Sequence, residues 1–508
     1  MTNGAVRGRR LLAAGLAACA AGCGRVPATV ERPLRLALYS DLQGLDPHVT
    51  LQYQTLSMLS NVFEGLTRLD AAMAVQPALA VSWESPDDVT WRFHLRPSVK
   101  FHDGRPLRAA DVVYSLERAR HHPRTQLGNL LVAVRQVRAV DELTVEIRTE
   151  RFHAVLLNKL AMPLVMPEGT GEDPDQAIGT GPYRVVVYRP GAGLTLESFP
   201  DYWGGVPAVR RAEIAFVSDP GERVDQLLRG ETDLAQELAT ERARDVEQAP
   251  GLRVEAQNGF SVTYLEGQLS SGPLADLRVR RALSLALDRE RLVREMAAGY
   301  GAPVGQFVAR EVFGFDARLE PPARDLARAR ALLAEAGYPE GLSLTLEYRE
   351  GREVGELVRQ LAEAGVRVEP RPQVWRDLYP RMQRGEVPFF LGGMVAFSGD
   401  ASSILDMKFH TVDAGRGYGE FNSNRYSNPR LDEMIEASGA VLDLGQRRAL
   451  LQSCMETATA DLPAIPLYAA QDVYGVRQTV EWTPRVDGKL LLAEMRWRPE
   501  AAAARPER

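Results

Sequence analysis

Alternation of apolar with polar residues predicts short β-strands through much of this 508-residue chain. Leu34 to Tyr39 forms the first such run. Trp91 to Arg96 places apolar side chains on one face and basic ones on the other, as expected for a half-buried strand. Two further runs between 134 and 148 are separated by an Asp-Glu pair and predict a hairpin. The pattern therefore predicts several short strands joined by turns.

Apolar residues three and four positions apart predict helices between these strands. Such spacing occurs in 51–66, again after the turn Asp103-Gly104, and around 224–228. From 277 onward helices dominate and are interrupted by a strand-like run at 342–350. No fixed-period repeat is visible. Helices separated by single strands are typical of α/β proteins with mixed sheets, which is the predicted fold class.

The N-terminus has the layout of an export signal. Three arginines precede an apolar stretch, Leu11 to Ala18, which is followed by small residues around Cys19 and Cys23. This stretch is too short to span about 30 Å of hydrocarbon. It is therefore expected to be removed after export, through either the general or the twin-arginine route.

A small residue directly before a cysteine resembles a bacterial lipobox, in which that cysteine is lipidated and becomes the mature N-terminus. Cys19 has the better local consensus, with leucine three positions earlier, whereas Cys23 leaves an apolar core of ordinary length. The sequence favours Cys23 and leaves Cys19 open, together with the alternative of an ordinary signal peptide. Cys454 alone then remains, on an apolar helical face, so the mature domain has no internal disulfide.

Charge and missing motifs exclude several functions. A net charge of −6 argues against nucleic acid or an anionic membrane surface as partner. The sequence contains no phosphate-binding loop, no G-x-S-x-G elbow and no H-E-x-x-H pair, and its histidines lack zinc-ligand spacing. We therefore expect no cofactor, no metal site and no catalytic residues.

Colinear motifs resemble family 5 of the bacterial extracellular solute-binding proteins, which includes dipeptide- and oligopeptide-binding lipoproteins of ABC importers. The strongest is SWE…TWRFHLRPSVKFHDGRPLRAADVVYSLERA. The supporting motifs are IGTGPYRV, FPDYWGG, VRRALSLALDRERLV, GYGAP, ARALLAEAGYP and LPAIPLY. The tryptophan and phenylalanine of TWRFHLR are interpreted as core residues, because buried aromatic rings dominate packing.

The resemblance implies a two-lobed periplasmic-binding-protein fold of type II, similar to cluster C, with an extra domain inserted in the first lobe. The implied division is a signal peptide at 1–22, a linker at 23–32, a first lobe from 33–66, 178–262 and 476–498, an inserted domain at 67–177, a second lobe at 263–475 and a flexible tail at 499–508.

Peptide-binding relatives carry an aspartate, in a W-x-x-D-x-x-D-P context, that pairs with the α-ammonium of the peptide. Here the first acidic position falls on Phe397 and the second on Asp400, which puts free-peptide binding in doubt. Asp400 is a candidate solute contact, or else it orders its loop. By position, Tyr39, Trp375 and Tyr418 are further candidates for the wall of the cleft or, equally, for the core.

The resulting hypothesis is a monomeric, lipid-anchored solute-binding protein on the periplasmic or extracellular face of the membrane. It would close on a peptide or other small solute and deliver it to a permease served by a separate ATPase. Two alternatives stay open: an exported hydrolase acting on peptides or glycans, and a sensor lipoprotein that reports on solutes without transporting them.

Overall fold

Buried strands flanked by helices build the molecule. The computed structural model describes residues 32–150, 153, 155–172, 176–396, 398–441 and 443–498. The predicted signal segment with Cys19 and Cys23, Phe397 and residues 499–508 lie outside these residues. Within the described ranges, no helix combines the length and the apolar character needed to cross a bilayer.

Over the described residues up to Lys159, the first part of the chain has seven strands and three α-helices. They are β1 Leu34–Leu38, α1 Tyr53–Leu59, β2 Thr67–Leu69, β3 Val75–Pro77, β4 Ala80–Asp87, β5 Thr90–Leu95, α2 Ala109–His121, β6 Val134–Asp141, β7 Thr144–Thr149 and α3 Leu156–Lys159. The strands predicted at 34–39, 91–96 and 134–148 are thus confirmed.

The middle of the chain returns to strands. These elements are β8 Tyr183–Arg189, β9 Gly193–Ser198, β10 Arg211–Phe216, α4 Pro220–Leu228, β11 Leu234–Ala235, α5 Ala243–Gln248 and β12 Leu252–Gly267. The amphipathic helix predicted around 224–228 is confirmed as α4.

The last part is rich in helices. Its elements are α6 Leu277–Leu285, α7 Arg289–Met296, β13 Gly301–Pro303, α8 Leu326–Glu335, β14 Leu342–Arg349, α9 Gly355–Glu363, β15 Val366–Gln373, α10 Trp375–Gln383, β16 Phe389–Val395, α11 Ser402–Ile404, α12 Pro429–Ser438, α13 Leu444–Asp461, β17 Ala464–Arg477, β18 Val480–Glu481 and β19 Arg496–Trp497. A π-helical turn, Leu405–Phe409, follows α11 directly.

The helix predicted over 51–66 is wrong in its length, because α1 ends at Leu59. The amide of Asn61 donates hydrogen bonds to the carbonyls of Ser57 and Met58, and to that of Leu490 at 2.9 Å. Side-chain amides that bond to nearby backbone compete with helix continuation. The apolar spacing continues past this point because Val62 and Phe63 are buried in the core without being helical.

Two long antiparallel strands connect the two halves of the main sheet, which has the strand order β15-β14-β16-β12-β17-β11-β1-β10-β9-β8. Residues 252–258 of β12 pair with 471–477 of β17, beside β11. After a register shift, residues 262–266 of β12 pair with 464–469 of β17, and residues 261–267 pair with β16. The chain therefore passes between the halves through β12 and β17.

A separate four-stranded sheet, β4-β5-β7-β6, packs with α2 around its own hydrophobic core. Phe93 is 0% exposed and Trp91 is buried in this core, which confirms the prediction for TWRFHLR. Cys454 is likewise buried on α13. The main sheet has other cores on each half. These cores define the two-lobed α/β fold, while the predicted domain boundaries stay predictions.

Two of the motifs that resemble the family, IGTGPYRV and FPDYWGG, contact each other around Glu64. We call this contact region the seam. The carboxylate of Glu64 accepts hydrogen bonds from the Thr180 hydroxyl (2.8 Å), the Tyr202 hydroxyl (3.1 Å) and the Trp203 indole nitrogen (2.9 Å). Burial nevertheless raises the pKa of Glu64 to about 7. IGTGPY and FPDYWGG therefore serve to hold the fold.

The two glycines of IGTGPY are required by a close backbone approach. A Cβ at Gly179 would lie 2.0 Å from the carbonyl oxygen of Val62, and one at Gly181 would lie 2.6 Å from its carbonyl carbon. His102, from the FHDG turn, closes the same seam by donating from Nε2 to the carbonyl of Gly181 at 3.0 Å. Any larger residue at either glycine would push these backbones apart.

Candidate functional site

The carboxyl ends of parallel strands from both halves of the main sheet supply charged and aromatic residues. Strand β1 runs parallel to β10 and β11, and Tyr39 follows β1 directly. Glu237 lies two residues after β11. In the other half, β14 runs parallel to β15 and β16 and ends at Arg349. Crevices outside such strand ends are the usual ligand sites of open α/β sheets.

Groups of opposite charge influence one another across this crevice, which we call the cleft. Burial, reinforced by Glu237, raises the pKa of Tyr39 to about 12, while Arg349 acts in the opposite direction. Burial also raises the pKa of Glu237, against the opposing charges of Arg223, Arg349 and Arg352. Charges from the second half of the sheet, Arg349 and Arg352, therefore act on Glu237 in the first half.

Asp472 adds a second carboxylate whose charge interacts with that of Glu237. Burial raises the pKa of Asp472, on β17, to about 7, and the charges of Glu237 and Asp487 add to the effect. Glu237 itself remains reachable by solvent although protein surrounds it, as expected for a group on the wall of a cleft. Both carboxylates are thus positioned where a cation would be stabilised.

Several charged side chains of the cleft are not paired with other groups in the described part of the protein. Among the described residues, the guanidinium groups of Arg349 and Arg352 make no ion pair or hydrogen bond, and the same holds for the carboxylate of Asp472. Unpaired charges inside a cleft are favourable positions for a charged solute.

Trp375 lies in the same cleft as Tyr39. It begins α10, is 43% exposed and contacts Tyr379 with ring centroids 5.2 Å apart. Together with Arg349 and Arg352 it lines a recess of about 300 Å³, which we call the arginine recess. Arg349 also acts on Tyr39, so the structure brings these two predicted candidates to one cleft.

Asp400 lies outside the arginine recess, and its carboxylate is hydrogen-bonded within the protein. It is 5% exposed, and its two oxygens accept hydrogen bonds from Arg447 on α13 at 2.5 and 2.9 Å. One of these oxygens also accepts from the backbone amide of Ser402 at 2.9 Å. Such a bidentate pair supports the loop-ordering alternative stated for this residue, because few lone pairs remain for a ligand.

Tyr418 lines a different recess. Its ring is stacked on that of His410, with centroids 4.0 Å apart. This second recess, of about 330 Å³, lies between residues 130–162 and residues 398–421, and we call it the Asp406 recess after the carboxylate on its wall. Phe421 lines both recesses and so marks the place where they adjoin. Phe397 lies outside the described residues.

Sequence reasoning missed Arg349 and Arg352, which line the arginine recess, and Asp406, which lines the Asp406 recess. It also missed the two carboxylates of the cleft, Glu237 and Asp472. Arg349 is visible in the sequence as the last residue of a predicted strand. Only the sheet order, however, shows that this strand end faces β1 and β11. Asp406 has no sequence signal beyond an acidic residue within an apolar run.

Two half-sheets connected by long strands, with a charged cleft at the carboxyl ends of their parallel strands, define a two-lobed solute-binding protein. The family described as "Bacterial extracellular solute-binding proteins, family 5 Middle" matches residues 74–416. The chain belongs to this family and is therefore a solute-binding protein.

Named relatives cover almost the whole chain. The glutathione-binding protein GsiB of Pectobacterium atrosepticum is 28% identical over 483 residues, which cover 91% of this chain and 92% of that protein. Among solved structures, the periplasmic binding protein DppA of Helicobacter pylori, in complex with the peptide STSA, has a TM-score of 0.83 at 20% identity and covers 92% of this chain and 98% of its own.

A dipeptide-binding protein of Pseudoalteromonas sp. SM9913, in complex with Met-Leu, has a TM-score of 0.81 at 20% identity and covers 92% of this chain and 100% of its own. At these identities the two structures show a shared fold, and the predicted two-lobed type II architecture is confirmed.

Proposed function

We propose that this protein captures a small peptide-like solute that carries at least one carboxylate, in the cleft between its lobes. The observation that carries the proposal is the pair Arg349 and Arg352, which have no partners among the described residues, line the arginine recess and act on the carboxylate of Glu237 across the cleft. Guanidinium groups match the geometry of a carboxylate and hold it through charge-assisted hydrogen bonds. The names of the relatives, which refer to glutathione and to peptides, agree with this chemistry.

Closure of the lobes would complete the site. Arg349 and Arg352 belong to the second half of the sheet, whereas Tyr39 and Glu237 belong to the first, so a solute held by both sides favours the closed form. Exclusion of water then strengthens each polar contact. Residues such as Trp375, exposed here, would be covered by the solute.

The proposal includes a lipid anchor and transport without chemical change. Lipidation of Cys23, or of Cys19, would keep the protein at the membrane face where the permease collects the solute. Mass spectrometry of the mature protein from the native membrane fraction should find a diacylated N-terminal cysteine. Solute recovered after binding should have an unchanged mass, which separates this function from that of a hydrolase.

Calorimetric titration with glutathione and with Met-Leu tests the solute class. Replacement of Arg349 or Arg352 by Met should weaken binding roughly tenfold to a hundredfold, because a hydrogen bond to a charged group contributes about 1.5–3 kcal/mol. Arg371→Met is the matched control, since Arg371 lies on β15 and pairs with Glu369 outside the recess. Equal affinities in all four proteins, or no binding of either solute by the native chain, would refute the proposed class.

A further inference from the structure

The Asp406 recess is a second enclosed space next to the cleft. One wall comes from the part of the chain with the separate four-stranded sheet and includes Leu130, Val132 and Met162. The other wall comes from the π-helical turn and the loop after it, with Met407 and Phe421. Its volume of about 330 Å³ is that of a small-molecule site. Apolar residues share the lining with six charged residues: Arg135, Glu150, Lys159, Asp406, Arg416 and Glu420.

Among the acidic residues of the lining, Glu150 is paired with Arg135, which distinguishes it from Asp406. The carboxylate of Asp406 makes no ion pair and no hydrogen bond with any described residue. Burial raises its pKa to about 6, with Asp400 adding to the effect and Lys159, His410 and Arg447 opposing it. A buried carboxylate normally has a partner, because burying an unpaired charge is costly. Here the open side of the carboxylate faces the recess.

The π-helical turn explains why Asp406 lies on the wall of the Asp406 recess. It places Asp406 and Met407 on the wall of the Asp406 recess and Lys408 on the wall of the arginine recess. Lys408 is itself neutralised by Glu266 at 2.5 Å. Such single π-helical turns occur frequently at functional sites. The turn thus presents one free negative charge to one side only.

We propose that Asp406 binds a cationic group of the solute, an ammonium or a guanidinium, inside the recess between residues 130–162 and 398–421. The inference rests on the proposed function for the other end of the solute, whose carboxylate lies at Arg349 and Arg352. Phe421 lines both recesses, so the two sites adjoin.

The first test compares Met-Leu with N-acetyl-Met-Leu, which lacks the ammonium. The native protein should bind Met-Leu at least tenfold more tightly than the acetylated form, and Asp406→Asn should abolish that preference. Glu420→Gln is the matched control, because it removes one negative charge from the same recess. An Asp406→Asn variant that keeps the full preference for the free ammonium would overturn the inference.

The second test is independent of the solute class. Benzylammonium, a cation of a size that fits the recess, should raise the melting temperature of the native protein at millimolar concentration, whereas benzyl alcohol should not. Asp406→Asn should lose this response and Arg349→Met should keep it. A benzylammonium response without peptide binding would reject the peptide class and support the cation site, while a response unchanged in Asp406→Asn would reject the cation site.

Discussion

The buried carboxylates at the seam and those in the cleft differ in what surrounds them. Glu64 receives three hydrogen bonds at the seam, and Asp400 receives both arms of Arg447. Asp406 lines an open recess, and neither Asp406 nor Asp472 has any such partner among the described residues. The comparison teaches that burial alone does not identify a binding residue. A carboxylate whose lone pairs are used holds the fold, and one whose lone pairs are free can bind a solute.

The largest effect is expected from breaking the pair Asp400–Arg447. Arg447→Met leaves a buried carboxylate without its counter-charge, which should lower the free energy of unfolding by about 3–5 kcal/mol. Chemical denaturation measures this change. Arg384→Met, which breaks an exposed pair with Glu386, should have little effect. If Asp400→Asn weakened solute binding while leaving the free energy of unfolding unchanged, Asp400 would instead be identified as a solute contact.

Stability should depend on pH through Glu64. Its folded pKa of about 7 lies above that of an ordinary glutamate, so the folded state holds the proton more firmly. The free energy of unfolding should therefore fall as the pH rises from about 4.5 to about 7, by on the order of 2–3 kcal/mol.

Glu64→Gln should remove that part of the slope, as seen in denaturation curves at several pH values. Glu197→Gln, at a more exposed carboxylate on β9, serves as the control. A slope identical in the native protein and in Glu64→Gln would show that burial does not raise the pKa of Glu64.

The backbone contact at the seam offers a sharper steric test. Gly179→Ala places a methyl group against the carbonyl of Val62 and should cost about 1–3 kcal/mol of unfolding free energy. Gly355→Ala is the matched control, because nothing lies within 4 Å of a Cβ at that position. Equal stability of the two variants would mean that the seam can open without cost.

The smallest change in stability is expected in the cleft. Trp375→Ala should alter the free energy of unfolding by no more than about 0.5 kcal/mol, because the side chain is exposed. The same variant should lose the change in tryptophan fluorescence that accompanies solute binding in the native protein. A fluorescence change that persists in Trp375→Ala would place the solute away from this ring.

Sequence reasoning succeeded where local pattern reflects burial. The strand at 91–96 and the buried face of α13 around Cys454 follow from apolar spacing alone. The family follows from colinear motifs, most of whose residues pack the core or close the seam. The predicted length of the helix after residue 51 was wrong, because the contact between Asn61 and Leu490 leaves no pattern in the neighbouring sequence.

The sequence by itself determined the α/β class, the family and the order of the strands along the chain, because alternating and helical spacing record which residues are buried. Only the tertiary structure decided which carboxylates are free. Asp400 and Arg447 are 47 residues apart in the sequence. Glu237 and Arg349, whose charges interact, belong to different halves of one sheet. Whether a buried charge has a partner depends on contacts between distant segments, and residue periodicity carries no information about those contacts.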